Sequence, residues 1–303
     1  MGYICVVGGA NVDIFLSPYK KLKLRDSNPG QLRISCGGVG RNIAENLARL
    51  GNDVKLLTVL GNDGNAELIK SNAKQCGIDL SHALTVDGSG GTYISFNDVD
   101  GDMFVGFSAM DSIDNITPDY LAANLDLLNG ASVLVVDTNL TDGLEYLLDN
   151  VTAPLFLEAV SCAKAEKVAH ILRNLVCCKL NHDEAQTLSG VDVVDETTAA
   201  ECLARLPFTR SIYVSCGAKG VFCVDESGAT FVPAMPSKAV NANGAGDSFF
   251  AGAIHGFVHG NNLVDSAKFG CVCGALTVAC ADTVCADLSC ERVSTAVEEV
   301  YGK

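Results

Sequence analysis

Basic residues are scarce in this chain: its 303 residues include 21 Lys and Arg against 36 Asp and Glu, which gives a formal net charge of −15. An acidic surface repels polyanions, so the composition argues against nucleic acid and anionic membranes as partners. Charged residues make up only 19 % and hydrophobic residues 48 %, which excludes a disordered chain and predicts a large buried core. A phosphate-bearing ligand would therefore be held by local N–H groups, a few basic side chains and metal, against the overall field.

Long apolar runs and targeting signals are also missing. No uninterrupted apolar stretch reaches membrane-spanning length, and residues 4–7 read as a buried strand without the basic segment that opens a secretory signal. We therefore expect a cytoplasmic chain whose 14 cysteines are reduced. The cysteines at 177–178 and 271–273 lie in apolar segments without zinc-site spacing, so they are interpreted as packing residues.

No linker, internal repeat or low-complexity segment divides the chain, so residues 1–303 are predicted to form one domain. Apolar runs alternate with helix-like stretches, which is typical of an α/β fold with a doubly wound, mostly parallel sheet covered by helices on both faces. The predicted strands are 4–7, 54–59, 133–136, 155–157, 175–178, 212–215 and 220–224. The predicted helices are 42–50, 65–76, 166–175, 183–188, 198–206, 248–259 and 263–280.

Two regions, roughly 13–35 and 91–107, break this alternation with short strand-like pieces that polar residues separate. The acidic stretch 98–102 within the second region looks like a hairpin turn. We expect the two regions to form a small antiparallel β-sheet that stands off the main domain as a lid. The alternative is that they extend the edge of the main sheet. The exposed edge of such a lid is one surface through which a homodimer would form.

The segment 241–248, Asn-Ala-Asn-Gly-Ala-Gly-Asp-Ser, carries the strongest chemical signal. It leads into an apolar stretch, so its small residues lie where a loop becomes a helix. N–H groups at a helix N-terminus attract anions, and Gly244, Ala245 and Gly246 leave them uncovered. A carboxylate at Asp247 suits a base that takes the proton from a hydroxyl attacking a phosphoryl group. The alternative is an ordinary helix start with Asp stabilising the dipole.

Two segments near the N-terminus have the composition of a polyol site. Asn11 and Asp13 follow the first strand, and ligands of open α/β sheets bind beyond the carboxyl ends of strands. They are candidates for hydrogen bonds to sugar hydroxyls, with turn chemistry as the alternative. The run 37–42, Gly-Gly-Val-Gly-Arg-Asn, lacks the third glycine of a dinucleotide fingerprint. It favours close backbone approach to a polyol at the glycine pair that includes Gly38, with Asn42 pointing into the same site.

Two later segments fit a nucleotide. Asn181 and Glu184 lie three residues apart across a predicted strand-to-helix turn and face the same way. A carboxylate there would act on phosphates through magnesium and its waters, and the alternative is a capping box. The small-residue turn from Ser215 through Gly217 to Gly220 suits the underside of a nucleotide, and a plain hairpin turn is the alternative.

Taken together and in this order, these segments resemble the ribokinase-like carbohydrate kinases of the PfkB family over nearly the whole chain, above all at 37–44 and 243–249. The resemblance implies a doubly wound α/β domain with a β-sheet lid, and phosphoryl transfer from ATP to a sugar hydroxyl. It implies that Asp247 is the catalytic base and that the anion hole is formed by Gly244, Ala245 and Gly246. It implies that Glu184 acts on magnesium and that ATP is bound by Asn181, Ser215, Gly217, Gly220 and Asn243. The sugar would be bound by Asn11, Asp13, Gly38 and Asn42.

Within the family, residues 26–30 and 38–51, together with Gly101-Asp102-Met103, resemble the pseudouridine kinase subfamily. That resemblance implies that a nucleoside 5′-hydroxyl is phosphorylated by ATP and Mg²⁺. Two alternatives remain open: a family kinase for ribose, a hexose, adenosine or inosine, and a non-catalytic nucleoside-binding module.

The chain departs from the family pattern at two places. Many members carry Asp at the position of Asn241, in a monovalent-cation loop, so Asn241 and Ala242 leave the potassium requirement open. Glu158 stands where the family's usual residue is Asp, and its longer side chain changes the reach of the carboxylate.

Overall fold

The computed structural model describes residues 2–140 and 142–302. Its strands are β1 (Ile4–Val7), β2 (Asn11–Pro18), β3 (Gly30–Gly37), β4 (Val54–Leu57), β5 (Val59–Leu60), β6 (Ile78–Asp79), β7 (Leu84–Thr85), β8 (Gly91–Asn97), β9 (Met103–Ala109), β10 (Val133–Asp137), β11 (Leu155–Glu158), β12 (Leu175–Asn181), β13 (Thr209–Ser215), β14 (Gly220–Asp225) and β15 (Gly228–Pro233). Its α-helices are α1 (Val39–Arg49), α2 (Gly64–Cys76), α3 (Pro118–Ala123), α4 (Leu125–Asn129), α5 (Asp142–Asn150), α6 (Cys162–Val168), α7 (His182–Ser189), α8 (Glu196–Ala204), α9 (Ala245–Val258), α10 (Leu263–Val278) and α11 (Cys290–Tyr301).

The main sheet has the strand order β15-β14-β13-β12-β11-β10-β1-β4-β6 among the described residues. Its neighbours pair in parallel from β6 to β13, and β13, β14 and β15 pair antiparallel. Alternate side chains of one strand point to opposite faces of the sheet and pack in two different cores, because helices cover both faces. Val7 packs in the core that includes Leu144 of α5, whereas Val6 packs in the core that includes Phe250 of α9. The predicted doubly wound, mostly parallel sheet is confirmed.

A separate four-stranded sheet, called the small sheet here, has the order β3-β2-β8-β9. The outer pairs β2–β3 and β8–β9 are antiparallel, but the central pair β2–β8 is parallel, with Asp13 opposite Tyr93. The expectation of an antiparallel sheet is therefore wrong at this pair. The two strands lie far apart in the sequence, and a long crossover that includes α1 and α2 lets them run the same way.

The predicted helix 166–175 is correct only at residues 166–168 and wrong from residue 169 onward. The structure has α6 at Cys162–Val168, and Leu175 instead begins β12, where its N–H donates to Phe208 O at 2.9 Å. Asn174 turns the chain between them with a φ of 59°. Leu172 and Leu175 have helical spacing and are both buried, but Leu172 lies in the loop after α6 and Leu175 lies in β12. The apolar spacing therefore gave a wrong prediction.

Other elements were missed or divided. The predicted strand 54–59 divides at Thr58 into β4 and β5, and β5 pairs with β7 outside the main sheet. The sequence reasoning missed β6, β7, β15, α3, α4, α5 and α11. In α5 a signal was present, because Leu144, Leu147 and Leu148 lie on one helix face and are buried.

The cysteines at 177–178 and 271–273 lie in the buried core as free thiols. Within residues 2–140 and 142–302, no helix is long and apolar enough to cross a membrane. The same residues contain no group of three or more His, Cys, Asp or Glu side chains that could hold a metal ion.

Candidate active site

Two glycine turns meet at the carboxyl end of β1. Gly38 precedes α1 with a φ of 97°, and a Cβ added there would lie 2.4 Å from Gly9 O. A Cβ on Gly40 would lie 2.8 Å from the backbone of Gly8. The glycines therefore make room for each other, and the start of α1 presses against the turn that follows β1. This contact places Asn42 at the ligand-binding edge of the sheet.

Asp137, at the end of β10, ties the two turns together. Its Oδ2 accepts the N–H groups of Gly9 (2.9 Å) and Gly40 (3.1 Å), and its Oδ1 accepts the Asn139 N–H (2.9 Å). Burial raises the pKa of Asp137, and the N–H donors oppose that rise. The sequence reasoning missed this residue, although an acid directly after the apolar strand 133–136 was a usable signal.

A cavity of about 310 Å³, called the acceptor cavity here, lies between these turns and the small sheet. Asn11 and Asp13 project into it from one face of β2, and Asn11 Nδ2 donates to Asp13 Oδ1 at 2.6 Å. Burial raises the pKa of Asp13, while this hydrogen bond lowers it. The four predicted sugar residues line the cavity together with five polar residues that the sequence reasoning missed. The predicted residues are Asn11, Asp13, Gly38 and Asn42, and the missed ones are Tyr93, Ser108, Ser112, Asn139 and Lys164.

Asp247 lies in the first turn of α9, against the start of α1. Its Oδ2 accepts a hydrogen bond from Asn42 Nδ2 at 2.7 Å, and the residue is 9 % exposed. Burial raises the pKa of Asp247, whereas the Asn42 bond and the charges of Lys179 and Arg41 lower it. Asn42 therefore joins the acceptor cavity to a buried carboxylate.

Arg41 holds Asn42 in place from behind. It is 2 % exposed, and its Nε donates to Gly37 O at 3.0 Å at the end of β3. Its guanidinium also donates to Asn42 Oδ1 and pairs with Glu45 one turn along α1. The Asn42 amide thus accepts from Arg41 and donates to Asp247, so its orientation is fixed by both neighbours.

The predicted anion hole is the N-terminus of α9. Gly244 is left-handed with a φ of 77°, and a Cβ there would lie 2.0 Å from Thr283 O, so the position requires glycine. The Ala245 N–H makes a long bond of 3.4 Å to Ala242 O. By position, the N–H groups of Gly246 and the next residue have no carbonyl one turn back along the helix.

Lys179 lies beside this helix start and was missed by the sequence reasoning. A Cβ on Gly246 would lie 2.8 Å from Lys179 Nζ, and the same Nζ pairs with Glu158 Oε1 at 2.8 Å. Glu158 and Lys179 are both buried, at 2 % and 5 % exposure. A lysine inside an apolar strand needs such a partner, so its place in the segment 175–181 was a signal.

The charges around Lys179 act on one another. Burial raises the pKa of Glu158, an effect that the Lys179 ammonium opposes and that Asp247 and Glu184 reinforce. The same carboxylates raise the pKa of Lys179 and keep it charged despite burial. Glu158 Oε2 is buried without a hydrogen-bond partner in the part of the chain that the structure describes. A magnesium ion or its water fits this donor set, since Mg²⁺ binds one or two carboxylates and completes its shell with phosphates and water.

The predicted nucleotide residues lie at the ends of β12 and β13. Asn181, Ser215 and Gly217 line a second cavity of about 700 Å³. Asn181 and Glu184 form the capping box that was the alternative interpretation, with bonds of 2.8 and 2.7 Å. The turn from Ser215 to Gly220 is a hairpin between antiparallel strands. The nucleotide roles of these residues, and those of Gly220 and Asn243 outside the cavity, stay predictions.

The comparison with known proteins decides the family. A model of the pfkB family of carbohydrate kinases matches residues 1–287. The chain belongs to this family. It is 33 % identical over 302 residues to pseudouridine kinase of Escherichia coli, covering 98 % of this chain and 96 % of that protein. It is 28 % identical to guanosine-inosine kinase of Exiguobacterium acetylicum, covering 92 % and 95 % of the two chains.

The solved structures agree on the fold. A ribokinase of Thermotoga maritima covers 98 % of this chain and 100 % of its own, with a TM-score of 0.84 at 21 % identity. The chain is therefore a ribokinase-like pfkB kinase, an ATP-using phosphotransferase with an alcohol group of a sugar or nucleoside as acceptor. The predicted family, fold and enzyme class are confirmed.

Replacing Lys179 tests the buried ion pair. Lys179→Met leaves Glu158 without its counter-charge, so the variant should be about 3–5 kcal/mol less stable at pH 8. The folded variant holds a proton on Glu158 that the unfolded chain releases near the ordinary pKa of 4.5. Without Lys179 the pKa of Glu158 in the folded state rises further, so the free energy of unfolding should fall more steeply than that of the wild type as pH rises above 4.5, measured by urea denaturation.

The double variant Glu158→Gln/Lys179→Met is the control for that series. It should regain stability and lose the added pH dependence, because a Gln side chain carries no ionisable proton. Equal losses in both variants at every pH would contradict the assigned pairing.

Proposed function

We propose that this chain phosphorylates the 5′-hydroxyl of a nucleoside, pseudouridine above all, using ATP and Mg²⁺. The observation that carries the proposal is the Asn42–Asp247 hydrogen bond of 2.7 Å. It joins the acceptor cavity to a carboxylate that lies in the first turn of a helix. A volume of about 310 Å³ is at the small end for ligand pockets and suits a single nucleoside or sugar.

The polar lining of the cavity supports a pyrimidine-dione base. Lys164 Nζ donates to Asn139 Oδ1, and both side chains line the cavity with Tyr93 and Ser108 of the small sheet. The uracil ring of pseudouridine is attached through carbon, so it presents two ring N–H groups beside its two carbonyls. Ammonium and amide N–H groups match the carbonyls, while amide and hydroxyl oxygens match the ring N–H groups.

In the proposed reaction Asp247 accepts the proton of the 5′-hydroxyl. The freed oxygen bonds to the γ-phosphorus as the bond from that phosphorus to the bridging oxygen of ADP breaks, and ADP leaves with the electron pair. A base in water-poor surroundings suits this step, since burial moves the pKa of Asp247 upward toward neutrality. The N–H groups at the start of α9 and the Lys179 ammonium stabilise the negative charge on the transferring group.

Magnesium is part of the same proposal. Glu184 and the unpartnered Glu158 Oε2 are the oxygens that would hold it, directly or through water. When bound, Mg²⁺ neutralises negative charge on the phosphates. Use of ATP and 14 free thiols also support a cytoplasmic location.

We also propose that the small sheet is a lid over the acceptor. Across its strands, Ser35, Asp13, Tyr93 and Ser108 are register neighbours, so they lie on one face. Asp13, Tyr93 and Ser108 line the acceptor cavity. Closure over a bound nucleoside would exclude water and limit ATP hydrolysis.

Removing the proposed base gives a direct test. Asp247→Asn keeps the shape of the side chain but cannot take a proton, so turnover should fall by about 10²–10⁴ with nucleoside binding retained. Asp265→Asn is a matched control, because Asp265 occupies the same first-turn position in α10 and is exposed. Near-wild-type turnover of Asp247→Asn in a coupled ADP assay would remove the base assignment.

An acceptor panel tests the substrate. With ATP and Mg²⁺, kcat/KM should be at least about tenfold higher for pseudouridine than for uridine, inosine, guanosine or ribose. Lys164→Met should lower it for pseudouridine by about tenfold or more and spare ribose, whereas exposed Lys167→Met on the same helix should leave both unchanged. A higher kcat/KM for another acceptor would overturn the assignment of pseudouridine as the substrate. No turnover with any acceptor would favour the non-catalytic alternative.

The other face of the small sheet is apolar and supports a homodimer. Two rows cross all four strands in register: Ile34, Ile14, Ile94 and Phe107, and Leu32, Leu16, Phe96 and Val105. Leu32 and Phe107 are 61 % and 63 % exposed, and every residue of β9 is exposed. An apolar face beside an unpaired edge strand is typical of an interaction surface, so we propose that it packs on the same face of a second copy.

Light scattering after size exclusion tests the dimer. The wild-type chain should elute as a dimer, and Phe107→Lys should shift it to a monomer because a charge in the apolar face must be desolvated. Val300→Lys is the control, since Val300 is 40 % exposed on α11, which packs against α10. A monomeric wild type, or a dimer that survives Phe107→Lys, would count against this surface.

A further inference from the structure

The loop that leads into α9 is held by N–H donors where many family members hold a monovalent cation. Val278 O accepts the N–H groups of both Val240 (2.9 Å) and Asn241 (3.1 Å). A carbonyl oxygen has two lone pairs, so Val278 has none left for a metal ion. A cation at this place would have to displace backbone hydrogen bonds.

Ala281 O is occupied in the same way. It accepts Asn241 Nδ2 at 2.8 Å and Arg33 Nη1 at 3.1 Å. The orientation of the Asn241 amide follows from its partners, because its Oδ1 accepts the Asn243 N–H at 3.0 Å and its Nδ2 faces a carbonyl. An Asp at this position would offer an oxygen to bind a cation, whereas this amide offers a donor instead.

Arg33 supplies a fixed positive charge at the same place. It projects from β3 of the small sheet, with its guanidinium 4.4 Å above the Phe15 ring and 3.3 Å from Asp282 Oδ1. A guanidinium stays charged at every working pH. The Nη1 donor of Arg33 occupies Ala281 O, while Asp282 offsets part of its charge at this exposed surface.

The segment held in this way forms one wall of the anion hole. Thr283, two residues beyond Ala281, lies so close to Gly244 that a Cβ there would be 2.0 Å from its carbonyl oxygen. The position of residues 281–283 therefore sets the position of the first residue before α9. A shift of this segment would move the N–H groups on which the proposed phosphoryl transfer depends.

We infer that Asn241 and Arg33 together take the place of the monovalent cation, so that the proposed kinase reaction does not require potassium. The inference rests on the proposed kinase activity, and it makes Arg33 a positioning residue that acts through the 281–283 segment. The observed donors do not fit the cation that the family pattern implies, since the Val278 and Ala281 carbonyl oxygens each already have two N–H partners.

Replacing the Asn241 amide by a carboxylate should make the reaction depend on potassium. Asn241→Asp sets a carboxylate oxygen against Ala281 O, and two oxygens at that separation repel unless a cation lies between them. We expect wild-type kcat to agree within about twofold in potassium chloride and in choline chloride at equal ionic strength. The variant should be about tenfold faster with potassium. Asn261→Asp, in the exposed turn after α9, is the control and should behave like the wild type.

Thermal unfolding without substrates gives a readout that does not need the proposed reaction. The melting temperature of the wild type should be the same in both salts, and that of Asn241→Asp should rise with potassium. Potassium-specific stabilisation of the wild type, or a wild-type kcat about tenfold lower in choline, would overturn the inference. If no acceptor is phosphorylated, the proposed function fails while the melting data still decide the cation question.

The variant Arg33→Ala distinguishes a role of Arg33 in replacing the cation from a merely structural role. It frees one lone pair of Ala281 O and removes the local charge, so kcat should fall about threefold to tenfold in choline and recover in part with potassium. Arg205→Ala, which removes an equally exposed pair with Glu201, should change neither value. Potassium rescue is the decisive sign, and a loss that potassium does not restore, or no loss at all, would contradict the role of Arg33.

Discussion

The structure depends on a carboxylate held between two helix starts. Asp247 opens α9 and meets α1 through Asn42, so both helices direct their positive N-terminal dipoles toward one point. A polar chain continues behind it, where Ser248 Oγ donates to Asn46 Oδ1 at 3.1 Å and Thr277 Oγ1 donates to Ser248 Oγ at 2.8 Å. Because these groups are buried, each needs its partner, and the two helices are locked in one relative position.

The small sheet touches this unit at two separate places. The end of β3 accepts a hydrogen bond from Arg41, which in turn orients the amide of Asn42. Farther along β3, Arg33 reaches Ala281, beside the loop that starts α9. If the small sheet moves as the proposed lid, these contacts would transmit its movement to both helix starts and assemble the acceptor site and the anion hole together.

The candidate site contains positively charged side chains, although the chain as a whole is acidic. The chain has a net charge of −15, yet Arg41 and Lys179 are buried around the carboxylate and Lys164 lines the acceptor cavity. In a region of low polarity such charges are screened less than surface ones. Phosphate binding at the proposed site would thus depend on a few fixed groups that act against the field of an acidic chain.

Local features of the sequence determined the elements and the motif residues that begin them. Alternation of apolar runs predicted the parallel sheet, and the small residues before Asp247 predicted the start of a helix, because neighbours in sequence fix both. Only the tertiary structure decided that β2 and β8 run parallel, that Lys179 lies beside Gly246, and that the Asn241 amide turns its donor to a carbonyl. Those contacts join residues far apart in the chain, and their geometry depends on the path between them, which no local pattern records.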